Sequence, residues 1–276
     1  MNAHSRRVLR AALAVAGASA LVAGVATAAT ASPSYTKPVP KPTIVLEHGA
    51  WEDGSSWAGV TAQLQADGYT VAAPANPLRG LASDSAALSS YLQQATTGPV
   101  VLVGHSYGGS VITDAGLSSS EVKALVYVDA FMPDQGESVG SIVGGSTSAL
   151  NVADPTSVYN IVGNTDGSAD VYLKPTTLQQ DVAQTLPLRA QNLLVAGQRP
   201  IALSAVTDAS GVPAWKTIPS WVVAGTQDKV LPLATQLSMA KRAGSHVTQI
   251  SAPHLSQVTD PIAVARVIEQ AANAVS

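Results

Sequence analysis

Val100-Val101-Leu102-Val103-Gly104-His105-Ser106-Tyr107-Gly108-Gly109 decides the fold. Four consecutive aliphatic residues without polar alternation read as a strand buried on both faces, the environment of a parallel sheet. The run enters Gly-x-Ser-x-Gly directly, and Val111 and Ile112 continue in a helical pattern. A strand that turns so tightly into a helix pushes the middle side chain out over the sheet edge, on a strained backbone. Gly104 and Gly108 let the chain pass close on both sides of that turn. The helix N-terminus adds positive partial charge behind Ser106. Ser106 is therefore the candidate nucleophile.

Working outward, the same strand–helix alternation recurs. Upstream lie strands at Thr43–Glu47 and Tyr69–Ala73. Between them a helix runs to Ala66, capped by Ser55 or Ser56, carrying Val60 and Leu64, and stopped by Gly68. A second helix, opened by Ser83 or Asp84, carries Leu88, Tyr91 and Leu92. Downstream, Val122–Val128 is a strand ending at Asp129. Trp221–Ala224 and His246–Ile250 are two more, separated by a helix over Ala234–Arg242 that stops at Gly244. Pro261 opens the last helix, with Ile262, Val264, Val267 and Ile268 as its apolar face. These features predict an α/β protein with a mostly parallel, doubly wound sheet of about six strands. Residues 134–215 break the alternation with Gly/Ser-rich stretches, prolines and two or three short helices, and read as an inserted helical cap.

A serine hydroxyl is a weak nucleophile and needs a base within hydrogen-bond reach. His254 follows the last strand, and strand ends in a parallel sheet share one edge, so it emerges beside Ser106. An acid must orient that base. Asp228, just past Trp221–Ala224, is the candidate, and the chain order Ser106, Asp228, His254 suits this architecture. Asp129 is its rival at the same edge, although Ala130-Phe131-Met132-Pro133 reads as pocket floor. Oxyanion donors are expected at the backbone N–H of Tyr107 and, from the loop His48-Gly49-Ala50, at that of Ala50. Phe131 and Trp51 are candidate substrate contacts; for Trp51 and Trp57 alike, lining an acyl pocket and packing the first helix are both open.

Taken together, Val45-Leu46-Glu47-His48-Gly49-Ala50-Trp51, Val103–Gly109, Gly225-Thr226-Gln227-Asp228 and Pro253-His254 resemble the α/β-hydrolase superfamily. The chain is similar to the cofactor-independent serine esterases of the methylesterase and hydroxynitrile-lyase-like group. The resemblance covers nearly all of 43–274, least well over the cap. It implies Ser106 as nucleophile, Asp228 as acid, His254 as base, Ala50 and Tyr107 as oxyanion donors, and no cofactor. One departure is Glu47, where the group has an apolar residue; a carboxylate there binds a cation or faces solvent. Another is Leu255, where the lyases carry a lysine, which ranks ester hydrolysis above cyanohydrin cleavage. A ligand receptor on the same scaffold is the remaining alternative.

Composition narrows the reading. The chain has 276 residues, 46% hydrophobic and 12% charged, enough to bury a large core and too apolar for a disordered chain. There is no cysteine, which excludes disulfides, thiolate metal sites and a Cys nucleophile. Net charge is −3, with three of the 15 basic residues (Arg6, Arg7, Arg10) in the first 31 positions. The remainder is acidic and offers nucleic acid no basic cluster. Residues 1–31 read as an export signal: a twin-arginine n-region, an uncharged stretch from Ala11 to Val25, and small-x-small sites at Ala26-Thr27-Ala28 and Ala29-Thr30-Ala31. The expected product is a secreted domain over 43–276, behind a Pro-rich leader at 32–42, with no stable membrane association once the signal is removed. His48, His105 and His246 bind metal only if they converge with a carboxylate; turn packing accounts for the first two, so no metal is expected. Arg199 is read as a surface or ion-pair residue. The expected partner is a small, largely uncharged ester.

Overall fold

The structure, a computed structural model, describes residues 41–275. Residues 1–31, expected to be an export signal, and most of the Pro-rich leader expected at 32–42 lie outside these residues. In chain order the elements are β1 (Thr43–Glu47), α1 (Ala58–Ala66), β2 (Val71–Ala72), α2 (Leu81–Ala95), β3 (Val100–His105), α3 (Tyr107–Ala115) and β4 (Val122–Val128). The segment after β4 contains α4 (Val139–Gly144), β5 (Tyr159–Gly163), β6 (Ala169–Leu173), α5 (Pro175–Thr177), α6 (Leu188–Ala196), β7 (Ile201–Ala202) and α7 (Leu203–Thr207). The chain then returns through β8 (Ser220–Gly225), α8 (Leu233–Ala243), β9 (His246–Ile250), α9 (Ser256–Thr259) and α10 (Pro261–Ala274).

Six strands pair in the order β2-β1-β3-β4-β8-β9, every neighbour parallel. The apolar runs of β1, β3, β4 and β8 follow from burial on both faces, whereas the edge strands β2 and β9 are partly exposed. Val45, Leu102, Leu125, Tyr127 and Val222 point toward α2, α3 and α8. Ile44, Leu46, Val101, Val103, Val126 and Val223 point toward α1 and α10. Fully burying each such aliphatic side chain is worth about 1.5–3 kcal/mol, so two covered faces hold the sheet far more firmly than one.

Element ends follow local chemistry. Gly244 ends α8 in the left-handed region at φ 67°, the conformation glycine adopts without steric cost. Asp260 caps α10 by accepting the Ala263 amide, with Pro261 at the first helical position. Four expectations about element ends need correction. α2 opens at Leu81 after Gly80, ahead of Ser83 and Asp84, with no side-chain cap. Asp53, not Ser55 or Ser56, supplies the cap before α1, through a short 3-10 turn over Gly54–Trp57. The second strand is paired only over Val71–Ala72, because it lies at the sheet edge and runs out toward Pro74. Ile262 is 51% exposed, so the apolar face of α10 begins at Val264.

The cap is not purely helical. Besides its helices it holds a three-stranded antiparallel sheet, β5-β6-β7. β5 and β6 form a hairpin closed around Asn164–Ser168. β5 is exposed from Asn160 to Gly163, and β6 alternates buried Val171 and Leu173 with half-buried Asp170 and Tyr172, so neither carries the continuous apolar signature of the central strands.

Candidate active site

The end of β3 and the start of α3 enclose Ser106, whose φ of 51° and ψ of −122° lie outside the ordinary regions for a side-chain-bearing residue. Such strain persists only where surroundings enforce it. Here they do: a Cβ on Gly104 would lie 2.6 Å from the Gly108 carbonyl oxygen, and one on Gly108 would lie 2.5 Å from that of Glu47. Trp51 (φ 63°) and Asp129 (φ 45°) share positive φ values at the same sheet edge.

The ends of β3, β8 and β9 bring three distant residues together. Ser106 Oγ lies 2.9 Å from His254 Nε2, and His254 Nδ1 lies 2.8 Å from Asp228 Oδ2. A carboxylate only accepts, so Nδ1 carries the hydrogen and Nε2 is free to accept from Ser106. All three residues are buried. Asp228 is itself held: Oδ1 accepts the Val230 and Leu231 amides, both at 2.8 Å, and Oδ2 accepts from Gln236 Nε2 at 3.1 Å.

Asp129, the rival acid, contacts no histidine nitrogen. Its carboxyl group accepts the Gly225 amide at 2.7 Å and the amide and hydroxyl of Ser256, tying β8 to the segment after His254. Burial, and then the neighbouring Asp228 charge, push its pKa up to about 7.

The amides of Ala50 and Tyr107 meet no acceptor among the described residues. Both residues border the cavity beside Ser106, where an oxyanion would develop. Tyr107 is anchored from behind, its hydroxyl donating to buried Asp84 at 2.7 Å. His48 pins the Ala50 loop: Nδ1–H donates to the Gly49 carbonyl at 2.9 Å, and Nε2 accepts the Asn76 amide at 3.0 Å. Burial holds its pKa below the ordinary value, so it is neutral. His105 faces Glu52 instead, and His246 stacks on Trp221 at the start of β9. Arg199 pairs through its backbone with Trp51.

An apolar cavity of about 310 Å³ opens from Ser106. Phe131 and Trp51 line it, with Val143, Tyr159, Val171 and Val206 from the inserted segment. Trp51 stacks on Tyr159 and donates its indole N–H to the Val171 carbonyl, so it is both cavity wall and tie to the insertion. Trp57 packs in the core under α1 with its edge to His105. A smaller space of about 30 Å³ lies on the His254 side, bounded by His105, Leu194 and Leu255. Past Trp51, Glu52 and Leu194 lies an outer groove of about 420 Å³.

Glu47 does not face solvent. Its side chain is buried, and Oε2 meets no hydrogen-bond partner among the described residues. Burial, and then the Asp84 charge, raise its pKa well above the usual carboxylate range. The folded chain thus keeps a proton that the unfolded chain releases above about pH 4.3. Protons bound in excess by the native state make stability fall as pH rises. Glu47→Gln removes this slope, so the variant gains on the wild type progressively from about pH 4.3 upward. Urea unfolding at pH 4.5 and pH 8 measures it; a stability difference that does not change with pH contradicts this assignment.

Comparison with known proteins agrees with this architecture. The sequence profile described as "Alpha/beta hydrolase family" matches residues 44–267. A carbendazim hydrolyzing esterase of Nocardioides sp. (strain SG-4G) is 33% identical over 111 residues, 36% of this chain and 46% of that protein. The match thus spans a little under half the length of that curated relative. Among solved structures, polyneuridine aldehyde esterase superposes with a TM-score of 0.71 at 19% identity, covering 84% of this chain and 99% of the other. A methylesterase from Arabidopsis gives 0.69 at 18% identity, with coverages of 84% and 99%. A pyrethroid hydrolase from Sphingobium faniae JZ-2 gives 0.66 at 21%, with coverages of 84% and 98%. At these identities the likeness is one of fold. The family's profile runs from the first strand of the sheet into its last helix, and the chain belongs to the alpha/beta hydrolase family.

Proposed function

We propose that this chain is a secreted serine hydrolase that cleaves small to medium, largely uncharged carboxylic esters through an acyl-enzyme on Ser106. The observation that carries the reading is the unbroken bond series from Ser106 Oγ through His254 to Asp228 beside an apolar cavity. Ser106 Oγ attacks the ester carbonyl while His254 Nε2 takes its proton. The free amides of Ala50 and Tyr107 stabilise the oxyanion, and Asp228 stabilises the imidazolium. His254 then returns the proton to the departing alkoxide, and water repeats the cycle on the acyl-enzyme.

The leaving oxygen must lie where His254 can protonate it. His254 borders the smaller space and not the larger cavity, so the alcohol portion sits in the former and the acyl chain in the latter. None of the residues lining these two spaces is Lys or Arg, which suits an uncharged acyl group. Leu255 contributes an apolar wall where the cyanohydrin lyases carry a cation.

Turnover of a series of ethyl esters of graded acyl length tests the reading. Each added methylene buried in the cavity contributes about 0.8 kcal/mol, so kcat/KM rises roughly fourfold per methylene until the cavity is full. Val143→Trp fills part of that cavity and flattens the series, with ethyl acetate least affected. Absence of steady turnover on every member favours a binding protein on a hydrolase scaffold instead. Export rests on the arginine pair and small-x-small sites of residues 1–31; intact-mass measurement of secreted protein tests cleavage after Ala28 or Ala31.

A further inference from the structure

The residues just described leave one buried ion pair without a role. His105 is buried beside Ser106, with Nδ1 3.0 Å from Glu52 Oε2 and Nε2 2.8 Å from the carbonyl oxygen of His254. A carboxylate and a carbonyl both only accept, so both ring nitrogens carry hydrogen and the imidazole is cationic. The side chain of Glu52 is 10% exposed, and its Oε1 receives Gln257 Nε2–H at 3.3 Å. Burial alone would discharge either group. Their mutual attraction and hydrogen bond reverse this, raising the His105 pKa and lowering that of Glu52.

Burying an ion pair is a poor route to stability, because desolvation offsets most of the attraction. Position explains this one better. The cluster joins three chain segments: the loop after β1 with Glu52, the nucleophile turn with His105, and the base segment with His254 and Gln257. Beyond His254 the backbone is gripped again at Ser256 by Asp129. The imidazole of His254 thus hangs from a backbone fixed at its own carbonyl and two residues later.

We propose that His105 and Glu52 are positioning residues: they clamp the His254 carbonyl so that Nε2 stays within reach of Ser106 Oγ and of the leaving oxygen. This rests on His254 being the base. Displacing a base by 1 Å costs on the order of 100-fold in rate. The clamp requires the N–H donated to the carbonyl rather than the net charge. In Glu52→Gln, a neutral His105 keeps Nε2–H on the carbonyl and accepts the Gln amide at Nδ1. Glu52→Ala leaves His105 unheld, and His105→Leu removes the donor.

The test measures kcat, KM, thermal midpoint and the rate of Ser106 labelling by a fluorophosphonate. His105→Leu and Glu52→Ala lower kcat and labelling rate about 10- to 100-fold, with KM within about threefold. Glu52→Gln recovers most of both rates. Should His105→Leu fail to fold, the two Glu52 variants carry the test. A lowered thermal midpoint with unchanged kcat and labelling overturns the inference, as does Glu52→Gln behaving like Glu52→Ala. A wild type that does not label at Ser106 overturns the serine-hydrolase reading and this inference with it. A labelled wild type whose variants label equally fast overturns this inference alone.

Discussion

Ser106→Ala lowers ester turnover on the order of 10⁴- to 10⁶-fold, the range seen when a serine nucleophile is deleted. Folding is spared, because the hydroxyl is held only by His254 Nε2 at 2.9 Å and its loss opens no large cavity. Residual activity comes from the oxyanion amides and the cavity alone. The strained φ of 51° adds an internal control. Ser106→Gly is equally inactive yet more stable by about 1 kcal/mol, since glycine adopts positive φ without the steric penalty. Urea unfolding and turnover of one ester read both effects. Substantial turnover by either variant, with folding intact, removes Ser106 from the chemistry.

Asp228→Asn produces a loss on the order of 10⁴-fold in kcat with a smaller change in KM. The carboxylate of Asp228 receives four donors: the amides of Val230 and Leu231, Gln236 Nε2 and His254 Nδ1. An asparagine that keeps its oxygen on the two amides turns its NH2 toward Gln236 and His254. Nδ1 of His254 then becomes the acceptor, Nε2 carries the hydrogen, and the ring can no longer take the serine proton. Asp129→Asn distinguishes the two carboxylates, because Asp129 touches the histidine through no hydrogen bond. It lowers stability by about 1–3 kcal/mol through a mispaired Ser256 amide. Its effect on kcat is far smaller than that of Asp228→Asn. The opposite ranking in kinetic assays reassigns the acid to Asp129.

How much of this was readable in advance depends on whether the signal was local. The strands β1, β3, β4 and β8 stand out because each carries its own mostly apolar, β-rich run, and β9 because Val247, Thr248 and Ile250 are β-branched. The turn around Ser106 stands out because Gly104 and Gly108 have no room for a Cβ, a demand that glycine alone meets. The cap hairpin is hard to read from the sequence although Asp166-Gly167 between Tyr159–Gly163 and Ala169–Leu173 is a turn signal. Its first strand is exposed from Asn160 to Gly163 and shows neither an alternating nor a continuous apolar pattern. Trp51 and Trp57 read alike on paper; only the fold sends the first to the cavity and the second to the core.

By itself the sequence determined the α/β architecture, the tight strand-to-helix turn at Ser106 and the sheet edge at which Ser106, Asp228 and His254 emerge. Those features depend on residue periodicity, on glycine and on chain direction, all of which are local properties. Tertiary structure alone decided which carboxylate faces His254, that Glu47 is buried, and that His105 bridges Glu52 and the His254 carbonyl. Asp228 meets the ring across 26 positions and His105 meets the His254 carbonyl across 149. Hydrogen bonds over such separations depend on ångström-scale packing of the whole sheet, which no short stretch of residues encodes.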